Sequence, residues 1–425
     1  RAADMAPGPA LPEAGALGEA DDVVVVVPYA APDGGGVLLW RDGDVWHWEL
    51  PAFTVHRVGQ LLTMGSPSSE QFGLSDWLAA YAAYRDAPDD GAVAACWNAH
   101  LKAKAVELWR EVMGSVHEAL CWLGRTPAAG AHRAPEVVLV PPGELAALPW
   151  HAAYDEQRGC RFLSDWCVSY APSLANALTA RQASPTPGTG MLAVTDTHGL
   201  RCMPAHNPGP AHAAAAETTH LHGRTATHEG VLARIQERPR YMSVVCHGYS
   251  DARDPERSAI RLRPDDAGDG PGELTVPELR ALAMHGVRLV VLASCESGVP
   301  DVNQLLGEFH GLPGALLEAG GPGTAVVASL WPVFLTGGRT VADEVFRRHL
   351  REGEAPAQAL RQAQLAMLGG DAVAPPSVPD AKSDFVLREP TPGAADAPAT
   401  EAPEPDPRAD LTQPIHWAAF FLCGA

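Results

Sequence analysis

Hydrophobic and polar positions along this chain follow two periods, and the change from one to the other outlines its architecture. Near the start, short apolar or alternating runs at 23–28, 37–40 and 45–50 are broken by Gly34-Gly35-Gly36 and Asp42-Gly43-Asp44, which predicts a small antiparallel addition. Leu101, Ala105, Leu108, Val112, Val116 and Leu120 then recur at helical spacing and predict one long amphipathic helix over 98–122. From 136 onward the text alternates. Strands are expected at 137–140, 166–170 and 191–194 with a helix at 174–180, then strands at 242–246, 289–293 and 324–329 with helices at 274–282 and 304–319. Helices over 339–350 and 355–368 and a closing strand at 416–423 complete the pattern. Each strand reads as apolar on both faces. The expected fold is therefore α/β, a three-layer arrangement whose mostly parallel sheet is covered by helices on both faces.

Composition divides the chain further. Residues 1–20 are rich in Ala, Gly and Pro without periodicity and read as a flexible lead-in, and 21–98 reads as a strand-rich segment. Residues 99–185 and 186–425 carry the α/β pattern, the latter interrupted by a Pro-, Ala- and acid-rich stretch at 369–414 that reads as a disordered insertion. The chain has no internal repeat of the kind that builds solenoids. It begins with Arg1, as a processed product or an excised piece would.

Charge and cysteine usage exclude several classes. Lys plus Arg number 31 against 51 Asp plus Glu, a net charge of -20, which argues against nucleic acid or an anionic membrane as direct partner and is compatible with a basic peptide. No apolar run approaches the ~20 residues of a spanning helix. The three lysines, Lys102, Lys104 and Lys382, are not in a P-loop, and neither a Gly-x-Gly-x-x-Gly turn nor a Gly-x-Ser-x-Gly elbow occurs. The eight cysteines are scattered with no Cys-x-x-Cys, which reads as a reducing, cytoplasmic compartment.

The chemistry centres on two strand ends. Val244-Val245-Cys246-His247-Gly248 closes one expected strand, and Leu292-Ala293-Ser294-Cys295-Glu296-Ser297-Gly298 closes the next. Loops after the carboxyl ends of parallel strands gather in one crevice, so His247 and Cys295 are expected to meet there. A thiolate is a strong nucleophile and a nearby imidazole assists it. The backbone N–H groups of Gly248 and Cys295 would face a developing oxyanion. Taken singly, each is more often a core cysteine or a satisfied loop histidine; together, at a separation near ~50 residues in this order, they favour a catalytic pair. Cys246, one residue from His247 on a strand, is expected to turn into the core. His220, His222 and His228 lack a companion Cys or carboxylate at ligand spacing, so no metal site and no cofactor are expected.

In order along the chain, Cys-His-Gly (246–248), Leu-Ala-Ser-Cys-Glu-Ser-Gly (292–298), Ala-Ser-Leu-Trp-Pro-Val (328–333) and His-Trp-Ala-Ala-Phe-Phe-Leu (416–422) resemble the CHAT domain, a caspase-like cysteine peptidase family related to separase, legumain and caspases. Leu139-Val140-Pro141-Pro142-Gly143, Leu148-Pro149-Trp150, Tyr170-Ala171-Pro172-Ser173 and Ala359-Leu360-Arg361-Gln362-Ala363-Gln364 extend the resemblance over roughly 99–425. It implies a caspase-like fold with an upstream pseudo-protease half in 99–185, the dyad His247 and Cys295, and Gly248 in the oxyanion region. It also implies that the strand ending at 328–331 borders a groove where substrate adds as a β-strand, with Ser329, Leu330, Trp331 and Glu296 as substrate contacts. Two departures from the family pattern bear on specificity. Ala293 stands two before Cys295, where Arg-specific relatives carry an acid, and Val333-Phe334-Leu335 follows Trp331-Pro332 in place of a polar rim.

The expected function is thus a cysteine endopeptidase acting on a protein or peptide substrate. The resemblance further implies regulation by an activating partner or a sensor domain outside this sequence, as in bacterial defence systems. The alternative is a catalytically silent caspase-like scaffold that works by protein binding. Trp40, Trp46 and Trp48 are the aromatic residues such a scaffold would offer, although aromatics in short strands are more often core.

Overall fold

A computed structural model describes residues 23–63, 77–88, 90–182, 188–195, 218–249, 251, 254–264, 272–293, 311–369 and 410–424. The first three strands, β1 (Val24–Ala31), β2 (Gly34–Arg41) and β3 (Asp44–Leu50), form the expected antiparallel meander. Instead of standing apart, the meander joins the main sheet, because β1 pairs in parallel with β4 (Glu136–Leu139). Between them lie the helices α1 (Val55–Thr63), α2 (Trp77–Asp86), α3 (Gly91–Leu108) and α4 (Gly114–Trp122). Asp90 caps α3 by accepting from the backbone N–H groups of Ala92 and Val93, and a π-turn at Trp109–Met113 links α3 to α4. The six apolar positions that predicted a long helix are all buried along this one rod.

A hairpin of β5 (Tyr154–Asp155) and β6 (Cys160–Arg161), with α5 (Phe162–Asp165), leads into β7 (Cys167–Tyr170) and α6 (Leu174–Gln182). Next come β8 (Thr189–Thr195), β9 (Thr218–His222), α7 (His228–Gln236) and β10 (Pro239–Val245). A small antiparallel sheet of β11 (Gly248–Tyr249), β12 (Ala259–Arg261) and β13 (Glu273–Thr275) follows, then α8 (Val276–Ala281) and β14 (Leu289–Leu292). The expected helix at 274–282 therefore starts later than its apolar pattern suggests. Thr275 and Glu278 form a capping box that begins the helix at Val276, and 273–275 is left to pair as a strand.

The last elements are α9 (Leu312–Gly320), β15 (Ala325–Ser329), α10 (Leu335–Arg347), α11 (Pro356–Gly369), α12 (Pro414–Trp417) and β16 (Phe420–Gly424). The closing segment read as a strand from 416 opens instead with a helical turn, since Pro414 presets the helical φ at its first position. Residues 410–413, within the stretch whose composition reads as disordered, pack onto this turn with Leu411 buried. The rest of that stretch, 370–409, lies outside the described residues, as do 1–22 and the 304–310 part of an expected helix.

The main sheet has eleven strands among the described residues, ordered β3-β2-β1-β4-β7-β16-β15-β14-β10-β8-β9. Seven neighbouring pairs are parallel and three antiparallel, so the sheet is mostly parallel as expected. The chain's last strand sits in the middle and reverses the sheet, parallel to β7 and antiparallel to β15. One face is a single apolar layer that takes in Val24, Val137, Val168, Phe421, Val327 and Val291 under α1–α4, α10 and α11. The other face is split. α7, α8 and α9 cover β8, β10, β14 and β15, while a small cluster of Val25, Val138, Ala171 and Ala177 under α6 covers β1 and β4. No helix among the described residues is long and apolar enough to cross a membrane.

Candidate active site

β10 and β14 run side by side in parallel, with Val244 opposite Leu292, and the Ala293 N–H donates to the Val244 carbonyl at 2.9 Å. The two strands thus end abreast. His247 follows three residues after Val244. Cys295 and Glu296 follow two and three residues after Ala293 and lie outside the described residues, so the structure fixes one side of the expected pair and the strand that leads to the other.

His247 is half-buried, and its backbone is held firmly. Its carbonyl accepts from the Arg261 N–H at 2.9 Å and from the Cys246 thiol at 3.4 Å, and Gly248 pairs with Ile260 in the small sheet. That small sheet is anchored because Ile260 and Leu274 point into the apolar layer beneath α7–α9. Cys246 sits in that same layer, where burial pushes its thiol up to about 12. A thiol held protonated in this way is inert, as expected for a core residue.

The other side of the rim is built by the segment after β15 and by the end of the chain. Because β16 is antiparallel to β15, with Ser329 opposite Phe420, α12 lies at the carboxyl end of β15. Ser329, Leu330 and Trp331 are all buried here. The Leu330 N–H donates to the Ala419 carbonyl, the Trp331 indole N–H donates to the Ile415 carbonyl at 2.9 Å, and the Trp331 ring meets Trp97 edge-on at 5.7 Å. The Tyr84 hydroxyl donates to the Pro332 carbonyl. β15 is paired on both edges along 325–327, with β14 and β16, and on the β16 edge alone along 328–329, so the expected groove for an added β-strand has room only on the β14 side beyond Val327. Trp331 anchors the core beneath the rim.

Two residues that sequence reasoning passed over shape this rim. Gly338, in the first turns of α10, packs so closely on Ala293 that a Cβ there would stand 3.2 Å from the Ala293 methyl. His416 is buried beside Phe334 and Gly337, and desolvation holds its imidazole neutral down to about 4. The adjacent Gly337-Gly338 pair at a helix start was the available signal for the first. The sequence places His416 at the start of the expected closing strand and gives it no role of its own.

Two of the three histidines weighed as zinc ligands have side-chain partners in the structure. His220 bonds the Thr195 hydroxyl at 2.7 Å on β9, and His228, at the start of α7, meets Glu278 at 3.0 Å. Trp46 and Trp48 are half-buried against the broad apolar layer, and Trp40 packs on the small cluster of the opposite face.

Residues 102–425 match the CHAT domain family. The chain belongs to that family. The match runs through the described part of the rim and through the segment that carries Cys295. No curated protein matches the sequence. Among solved structures, this CHAT domain is similar to the Arg-specific cysteine proteinase gingipain R, with 9% identity, a TM-score of 0.43, and 68% of this chain and 62% of that one covered. It is also similar to the separase–securin complex of Saccharomyces cerevisiae, at 10% identity and TM-score 0.47, covering 95% of this chain and 30% of that chain. The complex of the pro- and mature domains of RgpB from Porphyromonas gingivalis gives 9% identity and TM-score 0.42, with 74% and 69% covered. The chain thus spans less than two thirds of that first gingipain chain and under a third of the separase chain.

Proposed function

We propose that this CHAT domain is a cysteine endopeptidase in which Cys295 attacks a peptide carbonyl carbon and His247 gives a proton to the departing amine. Water then hydrolyses the acyl-enzyme, returning the thiol and releasing the acid. The observation that carries this reading is the placement of His247 directly beyond β10, abreast of the strand whose next residues are Ser294 and Cys295. Gly248, fixed by its pairing with Ile260, supports an oxyanion role for its N–H, and Glu296 would contact substrate beside the nucleophile. An activating partner or a sensor outside this sequence would regulate the enzyme, in a role such as bacterial defence and in a reducing, cytoplasmic setting.

The test is cleavage of a mixed peptide library by the purified chain and by Cys295→Ala, read by mass spectrometry for new termini. The expected result is cleavage by the first and at least a ~10³-fold loss in the second. The product termini would report the residue preferred before the cut. Equal cleavage by both proteins would remove Cys295 from the chemistry.

A second reading, a scaffold that binds without cleaving, draws support from one observation. Ser329, Leu330 and Trp331 are buried, and β15 is paired on both edges through Val327, so 325–327 offers no free strand edge for a substrate. Failure of Cys295 to react with a peptidyl acyloxymethyl ketone, with no cleavage on any peptide, would favour it.

A further inference from the structure

Far from the β10 and β14 ends, three side chains from distant parts of the sequence converge. His132, in the loop before β4, faces Glu352 and Glu354 in the turn between α10 and α11, and one ligand atom from each lies within 4.8 Å of the others. Glu354 is only 7% exposed in its side chain, and neither of its buried carboxylate oxygens accepts a hydrogen bond. The His132 Nε2 stands 2.9 Å from Glu354 Oε1 without hydrogen-bond alignment, and the Arg348 guanidinium is 3.6 Å away. A buried carboxylate in that state is costly unless a cation completes it. We infer that His132, Glu352 and Glu354 form a binding site for a divalent transition-metal cation of the zinc type.

The donor set favours that class. One imidazole nitrogen and two carboxylates suit zinc and its neighbours, whereas calcium and magnesium prefer oxygen alone. Zinc holds such atoms at ~2.0–2.2 Å, so closing the three onto an ion needs only side-chain adjustment. His132 and Glu352 are 61% and 38% exposed and have room to make it. The backbone of the site is already fixed. Arg361 donates to the carbonyls of Ala131 and His132, Gln362 donates to the His132 carbonyl, and the His349 ring bonds the Glu354 carbonyl.

Two arginines stand against the idea and define its limits. Arg347 pairs with Glu352, and Arg348 approaches both glutamates. Both guanidiniums also bond Glu344, Arg347 through two nitrogens at 2.7 Å and Arg348 through one at 2.7 Å. They therefore keep a carboxylate partner when an ion takes Glu352. Three glutamates against two arginines leave these five groups one charge negative, which suits a cation held with micromolar affinity more than a tightly buried structural ion. Such an ion would tie the loop before β4 to the helices that cross the other part of the sheet. No spacing in the sequence announces it, because His132 is more than two hundred residues from the glutamates.

The experiment titrates the full chain with zinc chloride in competition with a chromophoric chelator and follows thermal unfolding in parallel. The expected result is one ion per chain in the micromolar range, a raised unfolding midpoint with zinc, and affinity weakened ~10-fold or more in both His132→Ala and Glu352→Gln. These two residues are exposed, so both variants should fold, and their midpoints without zinc check that they do. The inference is overturned if no zinc binds, or if both variants bind it as the parent does, which would assign the ion to thiols or histidines elsewhere.

Discussion

The sheet contains two blocks of parallel strands that are built alike and end differently. In one, β4 and β7 are largely buried strands followed by Val140-Pro141-Pro142-Gly143 and Ala171-Pro172-Ser173. In the other, β10 and β14 are followed by Cys246-His247-Gly248 and by Ala293 with Ser294 and Cys295 beyond it. Proline has no N–H to offer an oxyanion and no group to titrate, so the first block ends in stiff, chemically silent turns. The second ends in an imidazole, a glycine held by its pairing with Ile260 and the approach to a thiol. Burial of strands makes the scaffold in both blocks, and the residues just past the strands are where the proposed chemistry would set them apart.

The largest effect should come from opposing these ends directly. His247→Ala should lower peptide cleavage by ~10³-fold or more while leaving the unfolding midpoint close to the parent, and Pro142→Ala should leave cleavage within a few-fold. Similar losses in both variants, measured on one reporter peptide, would erase the distinction.

The next test concerns how the blocks are joined. Arg361 is buried on α11 and donates to the carbonyls of Leu163, Ala131, His132 and Ser164, all near the starts of β4 and β7. Arg361→Met removes these donors and should lower stability by about 3 kcal/mol or more. If the blocks are coupled mainly through this contact, urea unfolding of the variant should split into two steps. A single step with an unchanged midpoint would mean that β16 and the shared apolar layer hold the blocks together without Arg361.

A comparable effect is expected from pH, with one buried histidine near each block. His151, bonded to the Tyr170 hydroxyl and the Ala418 carbonyl, and His416 are both lowered by desolvation to about 4 from an ordinary 6.5. The folded state therefore binds fewer protons than the unfolded one. Stability from these groups is present above pH 6.5 and falls as pH drops toward 4, by up to about 3 kcal/mol for each. Asp343, raised to about 6 by burial, acts in the opposite sense and loses stability as pH rises from about 4 to 6. Two histidines outweigh one aspartate, so net stability should fall on acidification. His151→Gln should flatten that fall, and an unchanged pH profile would place the responsible groups elsewhere.

The smallest effect should appear at Gly338→Ala. The added methyl presses on Ala293, two residues before Cys295, and should lower cleavage by ~10-fold at a cost in stability of about 1 kcal/mol. A larger loss of stability than of activity would mark Gly338 as purely structural.

Much of the scaffold is legible in the residues alone. Runs apolar on both faces announce β4, β7, β8, β10, β14 and β15, since a strand covered by helices on both sides has no polar face to show. Helical spacing announces the rod from α3 to α4, and the residues past β10 single out His247 by type and order. The inertness of Cys246 also follows from strand alternation. These are local properties, written in neighbouring residues.

Long-range pairing is not legible in this way. That the last strand lies in the centre of the sheet, that β1 extends it through β4, and that β16 closes the free edge of β15 depend on which strands pair, and no residue pattern states this. For the same reason nothing local announces that Trp331, expected as a substrate contact, is buried and bonded to Ile415, a residue 84 positions away. His132 and Glu354 likewise meet only because Arg361 and Gln362 hold a distant loop against α11. Short-range sterics and residue type suffice to set the elements and the residue types at their ends, so the order of amino acids carries both. Which ends face one another and which groups are buried emerge only on packing, because burial and pairing are properties of the whole fold.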